Sequence, residues 1–158
     1  MYGHEDTVRE QIVEEYRSDV ELLLKYLPWL SKKSGKDVSS MYTGDAEKPV
    51  IPIPVYDTTL LAFIKDVEKT KFIDRNYQYI YSRNNIRTHE DEIRLMENAK
   101  ITDLKFIKGC LSKYVLGGRT RSVLWSEGVD AGIYVTALSC LNKLFFSNTK
   151  DGSKMLRY

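Results

Sequence analysis

Eight side chains in this sequence are of types that bind or react, and they fall in three short stretches. These are Tyr56 and Asp57, then Asn76 and Tyr77, then Arg119, Arg121, Trp125 and Glu127. Aromatic faces beside a guanidinium are favoured anchors of protein–protein contacts. An arginine-bearing turn next to a helix also suits a small anion or a nucleotide. Chemistry on a nucleotide would need a carboxylate base such as Asp57 or Glu127. Each residue has a plainer structural reading as well. Asp57 can cap a helix, Tyr56 and Trp125 can sit at the core edge with a polar handle, and Arg119 can hold helix C-terminal carbonyls. Trp125 and Glu127 are two apart, so on a helix they do not share a face.

Several chemistries are excluded by what is missing. The sequence holds no Gly-x-x-x-x-Gly-Lys phosphate loop and no Gly-x-Gly-x-x-Gly dinucleotide turn. With two His and two Cys, a zinc ligand set cannot be assembled. His89-Glu90 starts like a zinc-protease motif, but position 93 is Ile, so His89 reads as an exposed first-turn residue. A Ser–His or Cys–His nucleophile would have to recruit His4 or His89, neither well set for it. Cys110 and Cys140 lie in apolar helical settings and read as free thiols. The expectation is a non-enzymatic protein with no cofactor and no metal.

Charge is unevenly spread over the 158 residues. Residues 1–68 carry 8 Lys/Arg against 13 Asp/Glu, a net −5, and residues 69–158 carry 16 against 9, a net +7. That asymmetry supports an alternative, nucleic-acid binding along Lys100, Lys105, Lys108, Lys113, Arg119 and Arg121. A solvated lysine-bearing surface is the plainer account. Apolar runs are short and no basic-then-apolar leader opens the sequence, so a cytoplasmic protein outside the membrane is expected.

The elements that must position these residues read as helices. Thr7 to Glu10 has capping-box spacing, and Val8, Ile12, Tyr16, Val20, Leu23 and Leu27 follow at helical intervals until Pro28 breaks the run. Residues 34–54 read as loop, with Pro49 to Val55 an extended strap laid across the helices. Asp57 caps a helix bearing Leu60, Leu61, Ile64 and Val67, and Tyr77 to Tyr81 is ambiguous in period but assigned to helix. Thr88 caps another, with Glu90, Asp91 and Glu92 suiting the positive end of its dipole. Thr102 caps the helix that ends at Gly117-Gly118, glycine accepting a left-handed stop. The Arg119–Ser122 turn, a short Trp125 helix and a closing apolar helix complete the chain, with Gly128 and Gly132 allowing close contact or punctuating the join. The whole is an all-α, irregular single domain of five to seven helices over residues 1–147, with 148–158 a frayed tail. The interaction module, with an unidentified protein partner held in a groove of Tyr56, Tyr77 and Trp125 rimmed by Arg119, is the leading functional expectation.

Pro52-Ile53-Pro54-Val55-Tyr56-Asp57, Asp74-Arg75-Asn76-Tyr77, Gly117-Gly118-Arg119, Leu124-Trp125 and Asp130-Ala131-Gly132 occur in this order. Together they resemble a bacterial and phage family catalogued only as a domain of unknown function. The likeness spans roughly residues 49–145 and implies a fold but no activity. The sequence departs from the family pattern at the turn, where Gly118 stands in place of Glu, and Thr120 and Arg121 in place of an aromatic and a small residue.

Overall fold

A computed structural model describes residues 4–36, 39–44 and 49–146, with side chains described for 7–36 and 57–146. The side chain of Tyr56, the packing of the Pro-rich strap and the expected tail at 148–158 therefore lie outside the described residues. The domain is an all-α bundle. Among the described residues there are eight α-helices, one more than the upper expectation: α1 (His4–Leu24), α2 (Leu27–Lys33), α3 (Thr58–Glu68), α4 (Tyr77–Arg83), α5 (His89–Glu97), α6 (Leu104–Gly117), α7 (Val123–Asp130) and α8 (Ile133–Phe146). A 3-10 turn, Ile101–Asp103, leads into α6.

Local chemistry accounts for most of the boundaries. Pro28 falls in the first turn of α2, where its missing amide proton costs nothing, so the chain breaks at Lys25-Tyr26 and restarts. Asp57 Oδ1 accepts from the Thr59 amide at 2.7 Å and caps α3. Thr88 and Asp91 form a reciprocal capping box at the start of α5. Tyr77 to Arg83 is helical, which settles the ambiguous period. Two expected caps fail. Thr7 lies a turn inside α1, and Thr102 sits within the 3-10 turn, where Asp103 Oδ2 instead accepts from the Lys100 amide at 3.0 Å.

One expectation is overturned in the loop assigned to 34–54. Ser39–Gly44 (β1) and Pro49–Tyr56 (β2) form an antiparallel hairpin, with Met41 opposite Pro54 and Tyr42 opposite Ile53. The strap is extended, as its prolines require, but it has a strand partner. In a two-stranded hairpin both strands are edges, so prolines can turn their missing donors outward.

The core is built around α6, which touches α3, α4, α5, α7 and α8. Leu104, Ile107, Leu111, Tyr114 and Val115 of its inner face are buried, as are Ile133, Ala137, Leu138 and Leu141 of α8. Each such aliphatic side chain contributes about 1.5–3 kcal/mol on leaving water. An aromatic line crosses the interior from Tyr26 through Phe63 and Tyr134 to Tyr114, with ring centroids 5.3, 4.9 and 6.2 Å apart. Where α1 breaks, the buried Tyr26 hydroxyl donates to Asp66 at 2.6 Å and Lys25 and Lys69 flank the same carboxylate. Burial and the Asp66 charge push the Tyr26 hydroxyl up to about 12. No single helix among the described residues is long and apolar enough to cross a membrane.

Candidate functional site

Two glycines and a tryptophan fix the turn between α6 and α7. Gly118 has φ −66°, so it does not supply the left-handed stop expected of it. It is needed for space: a Cβ there would lie 2.1 Å from Trp125 Cδ1. Trp125 Nε1 donates to the Val115 carbonyl at 2.9 Å and clamps α7 back onto the end of α6. Gly128 likewise admits the Tyr134 ring, and Gly132, at φ +76°, makes the bend into α8. Both roles foreseen for that glycine pair are therefore used, one at each position.

This clamp leaves a cleft of about 620 Å³ between α4, the loop before α5, the end of α6 and the turn. Tyr77 and Tyr81 supply aromatic walls, Ile86, Gly117 and Leu124 apolar surface, and Gln78, Ser82, Asn85 and Thr120 polar groups. Three cations, Arg87, Lys113 and Arg121, line it and no carboxylate does. Among the described residues neither the Arg87 nor the Arg121 guanidinium is paired with an acidic group. Asn85 holds a positive φ of 55° in the turn after α4, a conformation asparagine tolerates better than most residues.

Behind the cleft wall lies a buried carboxylate, Glu92, which the sequence groups with Glu90 and Asp91 as first-turn acids suited to the α5 dipole. Glu92 is 1% exposed. It accepts from the Tyr81 hydroxyl and from the Tyr114 hydroxyl, the latter at 2.8 Å. Lys113 Nζ is 3.6 Å from Oε2, and His89 Nδ1 is 2.9 Å from Oε1. The second imidazole nitrogen, Nε2, is 3.4 Å from Glu127 Oε2. His89 is exposed and in the first turn of α5, as expected, and it also bridges α5 to α7. Burial first, and then the Glu92 charge, push the Tyr114 hydroxyl far above its ordinary value, and burial does the same to Tyr81. Burial also pushes the neighbouring Cys110 thiol up to about 12, leaving it protonated and unreactive. Since His89 presents a different nitrogen to each carboxylate, the three do not converge. Among the described residues no group of His, Cys, Asp and Glu could hold a metal ion.

The side chains singled out from the sequence are not gathered in one groove. Tyr77 and Arg121 line the cleft. Trp125 and Arg119 line a separate 390 Å³ groove with Leu61, Lys65 and Glu68 of α3. Arg119 does not hold helix carbonyls: its Nε donates to Glu68 Oε2 at 2.5 Å and its terminal nitrogen pairs with the same oxygen. Asp57 is a cap, and the Asn76 amide is held by Asp74 Oδ1 at 2.8 Å just before α4. Glu127 faces His89. Of the proposed basic ridge, Lys105 is exposed, whereas Lys108 donates to the Tyr16 hydroxyl at 3.2 Å and Lys113 turns to Glu92. Sequence reasoning missed Arg87, Glu92, Tyr81 and Tyr114. The available signals were the Asn84-Asn85 turn before Arg87 and the helical phase of Glu92 with Met96. No protein-family model matches the chain, and no curated protein or solved structure matches it, so the likeness to that bacterial and phage family rests on the motifs alone.

Proposed function

We propose that this chain is a binding protein for a small, multiply charged anion, taken in the cleft between α4, α6 and the turn. A phosphorylated ligand with a planar or apolar portion, such as a nucleotide, fits its chemistry best. One observation carries the reading: three cations line the cleft with no carboxylate among its lining residues, and two of the three are guanidiniums with no acidic partner among the described residues. Lys113 has Glu92 behind it, but the two guanidiniums add like charge to the same cleft, and a bound anion relieves that repulsion. Guanidiniums give phosphate or carboxylate paired, directional hydrogen bonds, and Tyr77 and Tyr81 offer ring surface for the remainder of a ligand. Exposed Leu61 beside Trp125 favours a protein partner on the other side of the turn, but Arg119 there is already neutralised by Glu68. The cleft is the stronger site.

The test is calorimetric titration and thermal shift with nucleoside monophosphates, inorganic phosphate and sulfate. Binding should raise the melting temperature, and Arg121→Ala should weaken it about tenfold, the loss of roughly 1.4 kcal/mol. Arg87→Ala should act in the same direction. If none of these anions stabilises the protein, or both variants bind like the parent, the cleft is not an anion site.

A further inference from the structure

We propose that ligand binding in this cleft is coupled to protonation of His89, with Glu92 as the link. The inference rests on the anion-binding reading and adds a pH dependence to it. Lys113 is the shared element. It lines the cleft, yet its ammonium also lies 3.6 Å from the buried Glu92 carboxylate. Tyr81 is shared in the same way, forming cleft wall while donating to Glu92. An anion in the cleft draws on the Lys113 charge and adds negative charge beside a carboxylate that is 1% exposed. Such a buried charge must be balanced nearby.

His89 is placed to supply the balance. Its Nδ1 is 2.9 Å from Glu92 Oε1 and its Nε2 is 3.4 Å from Glu127 Oε2. A neutral imidazole has one N–H and can donate to only one of these oxygens, whereas the imidazolium donates to both. Among the described residues the charged or titratable groups in contact with the pair are Glu127 on α7, Tyr81 on α4, and Lys113 and Tyr114 on α6, with the Cys110 thiol of α6 nearby. Burial keeps Tyr81, Tyr114 and Cys110 protonated across the neutral range, so they do not exchange protons there. His89 is 45% exposed and open to proton exchange with water. An anion then favours the imidazolium, and by reciprocity the imidazolium favours the anion. Affinity therefore rises as the imidazole takes up its second proton on acidification.

Sulfate is the probe, because it keeps its charge throughout the neutral range. Calorimetry near pH ~6 and ~8, each in buffers of different ionisation enthalpy, reads affinity and proton uptake together. Uptake on binding and at least about fivefold tighter binding at the lower pH are expected. His89→Gln should bind sulfate at the higher pH as the parent does, and lose both the uptake and the pH dependence. Parent binding without uptake, or a variant that keeps the pH dependence, overturns the coupling while leaving the cleft reading intact. No sulfate binding at either pH removes both. Should His89→Gln fail to fold, the imidazole proton resonance of His89 decides in the parent. Its titration midpoint must move up with sulfate, and an unmoved midpoint overturns the coupling.

Discussion

Gly118 shows how much of this structure turns on single positions. The pair Gly117-Gly118 reads in sequence as a helix stop, and α6 does end there. The reason differs from the expected one, because Gly118 has an ordinary helical φ and is held small by Trp125, seven residues later. That requirement is tertiary, so no local pattern carries it. A methyl group at 118 meets a rigid indole already fixed by its bond to Val115, and cannot be relieved by a rotamer change. Gly118→Ala should therefore lose about 1–3 kcal/mol of stability in urea denaturation. Combining it with Trp125→Leu should cost less than the sum of the two single changes, whereas strict additivity would show that the indole is not the obstacle. Tyr134 gives the opposite case. Its hydroxyl is fully buried with no hydrogen-bond partner among the described residues. Tyr134→Phe should leave stability unchanged or raise it by up to about 1 kcal/mol. A clear loss would mean that the hydroxyl is satisfied after all.

At the scale of elements, α5 joins the framework to the candidate site. Its first turn was legible as Thr88 followed by acidic residues, and the capping box is there. The three carboxylates nevertheless do different work. Asp91 closes the cap, while Glu92, one position on, is rotated inward onto the face that carries Met96. A helix changes environment by about 100° per residue, so composition of a turn says less than phase. Glu92→Gln keeps the shape but weakens four contacts at once, and about 1–3 kcal/mol of stability should be lost in thermal or urea unfolding. Glu92→Leu should cost more, since the Tyr81 and Tyr114 hydroxyls and Lys113 are left without their acceptor. If Leu were tolerated better than Gln, the carboxylate would be packing filler rather than a hub. The β1–β2 hairpin was hidden for a related reason. Three prolines forced β2 to be extended, but Ser39-Ser40-Met41-Tyr42-Thr43-Gly44 has no clean alternation to announce a partner strand.

Across the whole molecule, the helical fold follows from apolar periodicity that survives into the core, and α6, α7 and α8 emerge close to where their stripes place them. The cleft does not, because it joins residues from α4, a loop, α6 and a turn that no spacing relates. What the whole fold does impose is a common fate on its buried phenols. Tyr81, Tyr114 and Tyr134 are all pushed above the ordinary tyrosine value, with burial the leading cause. Their native forms hold protons that the unfolded chain releases near pH 10. Stability from this source is complete below that pH, and it declines as pH rises beyond it because the unfolded state then binds fewer protons. The urea midpoint should fall steadily above pH ~10. These three tyrosines should ionise only as helical circular dichroism is lost. Tyrosinate absorbance followed together with the helical signal separates the outcomes. Full ionisation in one step near pH ~10, with the helices still intact, would mean that the core admits water around these rings and does not bury them as packed.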